Sequence, residues 1–254
     1  MKVLPIATMR EFVDSSVQPG IRGFLHPPEN PNGEGLVLTH GAGGNAQAPL
    51  LRALSDIFAN AGFTVLRCDL PFRQTRSFGP PGPADAARDR AGLKSAITAI
   101  RKLMGAPLLA GVARSGDFPE NDLGQSVARI FIGGHSYGGR QASMLCAEEP
   151  DLVSGLLLLS YPLHPPRRPE QQRTQHLPDL RTPTLFVHGT RDPFGTIEEL
   201  ERAIKMIPAK TKLLPVEGAG HDLGFKAKAR KEELPDQIRL EFAEFFEHHQ
   251  RVSS

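Results

Sequence analysis

The stretch IFIGGHSYGGRQAS, Ile130–Ser143, sets one serine between glycines, directly after an apolar run of strand length and directly before a segment with helical spacing. A serine hydroxyl is a weak nucleophile, so an enzyme that uses one must hold it where a base reaches it and substrate approaches. A sharp strand-to-helix turn does this. It forces strained dihedrals on the serine and brings backbone so close that a Cβ two residues to either side would collide. Gly134 and Gly138 remove those Cβ atoms around Ser136, and Gly133 and Gly139 add clearance. The pattern is a nucleophile elbow, G-x-S-x-G, with the backbone N–H of Tyr137 at the helix start facing the place where negative charge develops. A glycine-rich turn with an incidental serine is the plainer alternative.

Outward from the elbow, short apolar runs recur: LVLTH (Leu36–His40), FTVLRCD (Phe63–Asp69), ARIFIGG (Ala128–Gly134), GLLLLSY (Gly155–Tyr161), PTLFVHG (Pro183–Gly189) and TKLLPVEG (Thr211–Gly218). Segments of helical period separate them. Strands apolar on both faces that alternate with helices indicate an α/β fold, a mainly parallel sheet covered on both sides. APLLRALSDIFANAG (Ala48–Gly62) predicts a helix closing on Gly62 at C′. DAARDRAGLKSAITAIRKLM (Asp85–Met104) predicts a second, GRQASMLCAEEP a third that stops at Pro150, and PDQIRLEFAEFFEHHQ, from Pro235, a last one burying Phe242, Phe245 and Phe246. Before Leu36, REFVDSS (Arg10–Ser16) and IRGFLHP (Ile21–Pro27) suit antiparallel edge strands.

Two later stretches complete a chemistry. LFVHGTRDPFG supplies Asp192 just past one strand, and LPVEGAGHDLG supplies His221 just past the next. Serine, acid, histidine is the chain order of this mechanism: His221 takes the Ser136 proton, and Asp192 fixes its tautomer. Asp222 is the weaker acid, since a neighbour in the chain reaches the imidazole Nδ1 poorly. Upstream, His40-Gly41 opens a loop of small residues, where Ala42, with Gly43 beside it, supplies a second oxyanion donor.

That loop also spells G-x-G-x-x-A through Gly41, Gly43 and Ala46, with Asp69 ending the next strand, which is a dinucleotide fingerprint and a rival hypothesis. It leaves His40 and the three later catalytic-type groups unexplained. A non-catalytic interaction scaffold on a hydrolase fold is the third reading.

The chain has 254 residues, within the range one α/β domain fills, and one domain over 1–254 is expected. Lys+Arg 30 against Asp+Glu 28 gives +2, which points to no nucleic-acid partner; KAKARK (Lys226–Lys231) reads as a solvated basic face. No apolar run approaches the ~20 residues of a membrane span, and MKVLPIATMREFVDSS lacks a secretory h-region, so a cytoplasmic location is expected. Cys68 and Cys146 read as buried thiols. The partner expected is a small-molecule substrate, with no metal or organic cofactor and the oligomeric state left open.

Three Pro- and Gly-rich segments fit neither period: SFGPPGPAD (Ser77–Asp85), GAPLLAGVARSGDFPENDLGQ (Gly105–Gln125) and the run from Tyr161 to Pro183. The last, 161–183, is a candidate cap over the site, stiffened by its prolines. Arg73, Arg76 and His164 are candidate substrate-binding residues. The alternative for the arginines is pairing with Asp85 or Asp89, and for His164 and His176 plain hydrogen bonding. Arg140, opening the helix after the elbow, reads as structural.

With HGAGGN, LPFRQTR, GGHSYGGR, YPLHPP…HLP and GTRDPFG in hand, the chain resembles the α/β-hydrolase superfamily over nearly its whole length. More narrowly it is similar to the small dienelactone-hydrolase-like proteins. Within these it is similar to a poorly characterised branch with bacterial hydrolase-like proteins, an animal testis-expressed protein and a subunit of a histone-acetyltransferase regulatory complex. The resemblance implies Ser136, Asp192 and His221 as the triad and Ala42 and Tyr137 as oxyanion donors. Dienelactone hydrolase itself carries cysteine at the nucleophile position, so Ser136 implies general ester or related acyl hydrolysis instead.

Overall fold

Strands whose residues are apolar on both faces need cover on both faces, and the architecture supplies it. The structure is a computed structural model that describes residues 9–105, 128–225 and 227–247. Eight strands form one sheet: β1 (Arg10–Asp14), β2 (Ile21–His26), β3 (Glu34–Thr39), β4 (Thr64–Cys68), β5 (Arg129–His135), β6 (Gly155–Leu159), β7 (Thr184–Gly189) and β8 (Thr211–Val216). Their order is β1-β2-β4-β3-β5-β6-β7-β8. β1 and β2 pair antiparallel and β2 meets β4 antiparallel, while every later pairing is parallel. Both expected antiparallel strands are therefore present, but only β1 is an edge strand, because β2 is paired on both sides, by β1 and by β4.

The helices are α1 (Pro49–Asn60), α2 (Pro71–Thr75), α3 (Asp85–Leu103), α4 (Tyr137–Glu148), α5 (Ile197–Ile204) and α6 (Lys228–Glu247). α3, α4 and α5 cover one face, where Leu93, Ile97, Leu145 and Leu200 pack on Val37, Leu66, Ile132 and Leu158. α1 and α6 cover the other, where Leu51, Leu54, Phe58 and Phe242 pack on Leu36, Leu38, Phe131 and Leu157. Adjacent residues of β3 thus feed opposite cores, which is why its sequence shows no polar alternation.

α1 begins with Pro49 at its first turn and is followed by Gly62 at φ +98°, the left-handed stop expected there. α5 opens on a capping box in which Thr196 and Glu199 exchange backbone hydrogen bonds. α6 starts before Pro235, where the sequence pattern had placed its first residue. Leu234 is fully buried in the same core as Ile238 and Phe242, so packing carries the helix through the proline. Phe242, Phe245 and Phe246 all face that core. The short α2 had no periodic signal in the sequence.

Sequence neighbours diverge at one place. From β3 the chain passes through α1 to β4 on one side, and from β4 through α2 and α3 to β5 on the other. The crevice at the C-terminal ends of β3 and β5 is a topological switch point, where open α/β sheets place ligands. Of the irregular segments, Gly105–Gln125 lies, from residue 106 onward, outside the described residues, as do Lys226 of the basic run and the chain before Met9. Among the described residues no helix is long and apolar enough to cross a membrane. Cys68 and Cys146 are buried and unpaired, and burial pushes both thiols up to about 12.

Candidate active site

At the end of β5 the backbone turns through Ser136 at φ 51° and ψ −116° and enters α4 at once. That conformation is strained for a side chain with a Cβ, and its surroundings hold it. The Ser136 N–H donates to the Leu159 carbonyl at the tip of β6, 2.8 Å away. A Cβ on Gly134 would sit 2.6 Å from the Gly139 nitrogen, and one on Gly138 would sit 2.4 Å from the His40 carbonyl oxygen. Real Cβ atoms do not approach backbone so closely, so the glycines around Ser136 are required by this turn, as their spacing implied.

His221 follows β8 and Asp192 follows β7, and the parallel β7–β8 pairing brings the two loops side by side. His221 Nδ1 lies 2.8 Å from Asp192 Oδ2 and 3.0 Å from Oδ1, while its Nε2 lies 2.8 Å from Ser136 Oγ. With Nδ1–H donated to the carboxylate, Nε2 is left to accept the serine proton. Asp192 Oδ1 also accepts the Phe194 N–H at 2.9 Å, and the Phe194 ring stacks on the imidazole with centroids 4.1 Å apart. Asp222 instead accepts the Gly224 N–H at 3.0 Å.

Two histidines flank this chain. His135 Nε2–H donates to the His221 carbonyl at 2.7 Å, and burial lowers His135 to about 4, so it is neutral and holds the backbone of His221. His188 Nε2–H donates to the Gly195 carbonyl at 2.9 Å, inside the turn that carries Asp192; burial lowers it as well. Neither these two histidines nor Phe194 carried a sequence signal, since each acts through a partner in another loop.

The loop after β3 lies against the elbow. A Cβ on Gly41 would come 2.9 Å from His135 Nδ1 and 3.3 Å from Ser136 Cβ. The Gly41 carbonyl accepts from the Gly44 N–H at 3.0 Å and from His40 Nδ1–H at 2.8 Å. In a trans peptide the N–H points opposite its carbonyl, so these bonds turn the Ala42 N–H to the other side. Tyr137 is the first residue of α4, where an N–H has no intrahelical acceptor. Its hydroxyl donates to Asp89 at 2.8 Å, and the same carboxylate accepts the Phe72 N–H at 3.0 Å.

The proposed substrate-binding residues sit otherwise. Arg73 is buried, and its guanidinium donates to the carbonyls of Ala42 and Gly44, both at 2.8 Å, of Gly79 at 3.0 Å and of Arg76 at 3.3 Å. It clamps the loop after β3, and its donors are taken up by these carbonyls. Arg76 pairs with Asp85, the alternative weighed from the sequence. His164 is buried with Nδ1–H on the Pro165 carbonyl at 2.8 Å and Nε2 3.2 Å from Glu199 Oε2, so both ring nitrogens are occupied. His176 contacts Ser143 Oγ at 2.8 Å. Among the described residues no group of three or more His, Cys, Asp or Glu side chains is placed to hold a metal.

Asp69, the acidic member of the rival fingerprint, accepts the Ala46 N–H at 2.7 Å and lies 3.6 Å from Arg22. Its carboxylate braces the same loop. A cleft of ≈ 300 Å³ opens beside this brace, lined by Glu11, Val13, Phe24 and Arg73 among others. Ser136, His221 and Asp192 are not part of its lining.

Solved structures share this fold. An α/β serine hydrolase homologue from Coxiella burnetii superposes with a TM-score of 0.64 at 15% identity, covering 90% of this chain and 95% of its own. A dienelactone hydrolase from Anabaena variabilis gives 0.65 at 21% identity, covering 95% and 97%. A lidless α/β serine hydrolase from Xanthomonas campestris gives 0.62 at 11%, covering 94% and 95%. At such identities the likeness is one of fold. Residues 32–247 match the family described as the alpha/beta hydrolase domain, which takes in every strand from β3 onward together with the elbow, the Asp192 turn and the His221 loop, and the chain belongs to that family.

Proposed function

We propose that the protein is a serine hydrolase of carboxylesterase type, acting on a small ester or related acyl substrate through an acyl-enzyme. The observation that carries this reading is the unbroken chain of contacts from Asp192 through His221 to Ser136 Oγ. His221 accepts the hydroxyl proton as Oγ attacks the acyl carbon, and Asp192 stabilises the imidazolium that forms. The N–H groups of Tyr137 and Ala42, with Gly43 adjacent, receive the charge on the tetrahedral oxygen. Imidazolium returns the proton to the leaving group. A water activated by the same imidazole then releases the acyl group and restores Ser136. No metal or organic cofactor enters these steps.

Labelling with a fluorophosphonate probe and mapping the modified peptide tests this directly. Modification at Ser136, together with loss of activated-ester turnover in a folded Ser136→Ala protein, is the expected result. A folded wild-type protein that stays unlabelled would instead favour the non-catalytic scaffold, the reading that the resemblance to an acetyltransferase-complex subunit keeps in play.

A further inference from the structure

We propose that Arg140 and Arg173 form a receptor for an anionic group, carboxylate or phosphate, carried by the substrate of the Ser136 site. This rests on Ser136 being the nucleophile and adds the substrate class.

Arg140 stands one helical turn beyond the serine, its own N–H donating to the Ser136 carbonyl at 3.0 Å. Helical side chains lean toward the N-terminus, and the Arg140 charge acts on Tyr137, the residue after the serine, and on Tyr161, just past β6. Its Nε is buried and has no hydrogen-bond partner. No ion pair with a described carboxylate accompanies it, in contrast to Arg22 with Asp69, Arg90 with Glu148 and Arg129 with Glu34.

Arg173 belongs to the 161–183 segment, and the Arg140 charge acts on it. Its N–H donates to the Leu163 carbonyl at 2.8 Å, its carbonyl accepts the Tyr161 hydroxyl at 2.8 Å, and its Nη1 meets the Pro162 carbonyl at 3.3 Å. These bonds tie it to the residues that leave β6, whose last residue, Leu159, accepts the Ser136 N–H. The Ser143–His176 contact fixes the segment along α4, one turn below Arg140 on the same side.

The charges agree with this placement. Burial and then the Arg140 charge lower Arg173, and burial followed by Arg140 and Arg90 lowers His176 to about 4. Arg90 is already matched by Glu148, and Asp179 acts on His176 without pairing to either guanidinium. Two like charges that act on each other without an ion pair to a described carboxylate raise the free energy of the empty site, and an incoming anion lowers it. Guanidinium donors fit carboxylate and phosphate alike. Both arginines are partly exposed as residues.

The test compares kcat/KM for mono-4-nitrophenyl glutarate with that for its neutral methyl ester, and in a second arm for 4-nitrophenyl 4-phosphonobutanoate with its neutral diester. The wild-type protein is expected to favour one anionic ester by tenfold or more, and the preferred arm identifies the anion. Arg140→Gln is expected to lower that ratio about 10- to 100-fold, the span of a charge-assisted hydrogen bond, and Arg140→Lys to recover part of it. Should Arg140→Gln fail to fold, Arg173→Gln carries the same comparison. Calorimetric binding of monomethyl glutarate and of methyl phosphonate to the Ser136→Ala protein is independent of turnover: binding there without ester hydrolysis would sink the hydrolase reading and keep the receptor. Equal rates for charged and neutral esters together with no anion binding, or a ratio that Arg140→Gln leaves unaltered, would overturn the receptor.

Discussion

Replacing Arg73 with methionine removes every donor of the guanidinium while keeping the length and much of the packing against Phe72, whose ring centroid lies 4.9 Å from the guanidinium carbon. The carbonyls of Ala42, Gly44, Gly79 and Arg76 lose their partner together. Some of these carbonyls turn to water, so the stability loss is about 2–4 kcal/mol, less than the sum of separate charged hydrogen bonds. The larger effect is on rate. With the Ala42 carbonyl released, its peptide and the Ala42 N–H before it are no longer held against the elbow, and losing one oxyanion donor costs ~10²–10³ in kcat. KM for a small neutral ester stays near its wild-type value, because the clamp does not touch substrate. Steady-state kinetics with 4-nitrophenyl butyrate, with the affinity of a boronic acid transition-state analogue alongside, read both parameters. A raised KM with unaltered kcat would refute the clamp and return Arg73 to direct substrate binding. So would an analogue affinity that does not fall.

Asp192→Asn offers His221 an amide in place of a carboxylate and favours the tautomer whose Nε2 cannot accept the serine proton; kcat is expected to drop roughly 10⁴-fold with the fold retained, and a loss under tenfold would contradict the assignment. Gly138→Ala places a Cβ 2.4 Å from the His40 carbonyl oxygen, so the elbow opens; fluorophosphonate labelling at the wild-type rate would show that the turn tolerates the methyl. His135 and His176 are held at about 4 against 6.5 in the unfolded chain. The stability they contribute is complete above the unfolded value and is lost as pH falls toward 4, at up to ~1.4 kcal/mol per pH unit for each. Urea midpoints at about pH 7.5, 6 and 5 follow this loss, and His176→Gln is expected to flatten the slope; an unchanged slope would exclude His176 as a contributor.

Much of this architecture is legible in local pattern. Leu36–Leu38, Ile130–Gly134 and Gly155–Leu159 are apolar without alternation because both sheet faces are covered, and a strand with two covered faces carries that mark in its own residues. Gly134 and Gly139 are equally local, since a Cβ on either would meet the backbone of the other, whereas Gly138 answers to the His40 carbonyl at the end of another strand. The order serine, acid, histidine could be read because each follows a recognisable strand. Other features left weaker marks. α6 runs through Pro235 because Leu234 finds a core built from distant strands, and a five-residue helix such as α2 is too short to show a period.

The amino-acid sequence by itself determined the covered, mainly parallel sheet and pointed to the residues proposed to carry its chemistry, because periodicity and much of backbone sterics act between near neighbours. Only the tertiary structure decided what the polar side chains do. Arg73 bonds a carbonyl 31 residues away, His135 holds His221 across 86, and the Arg140 Nε is left without a hydrogen-bond partner among the described residues. A guanidinium or imidazole has the same intrinsic chemistry wherever it stands, and its role is set by the acceptors and charges that folding brings within about 3 Å of it.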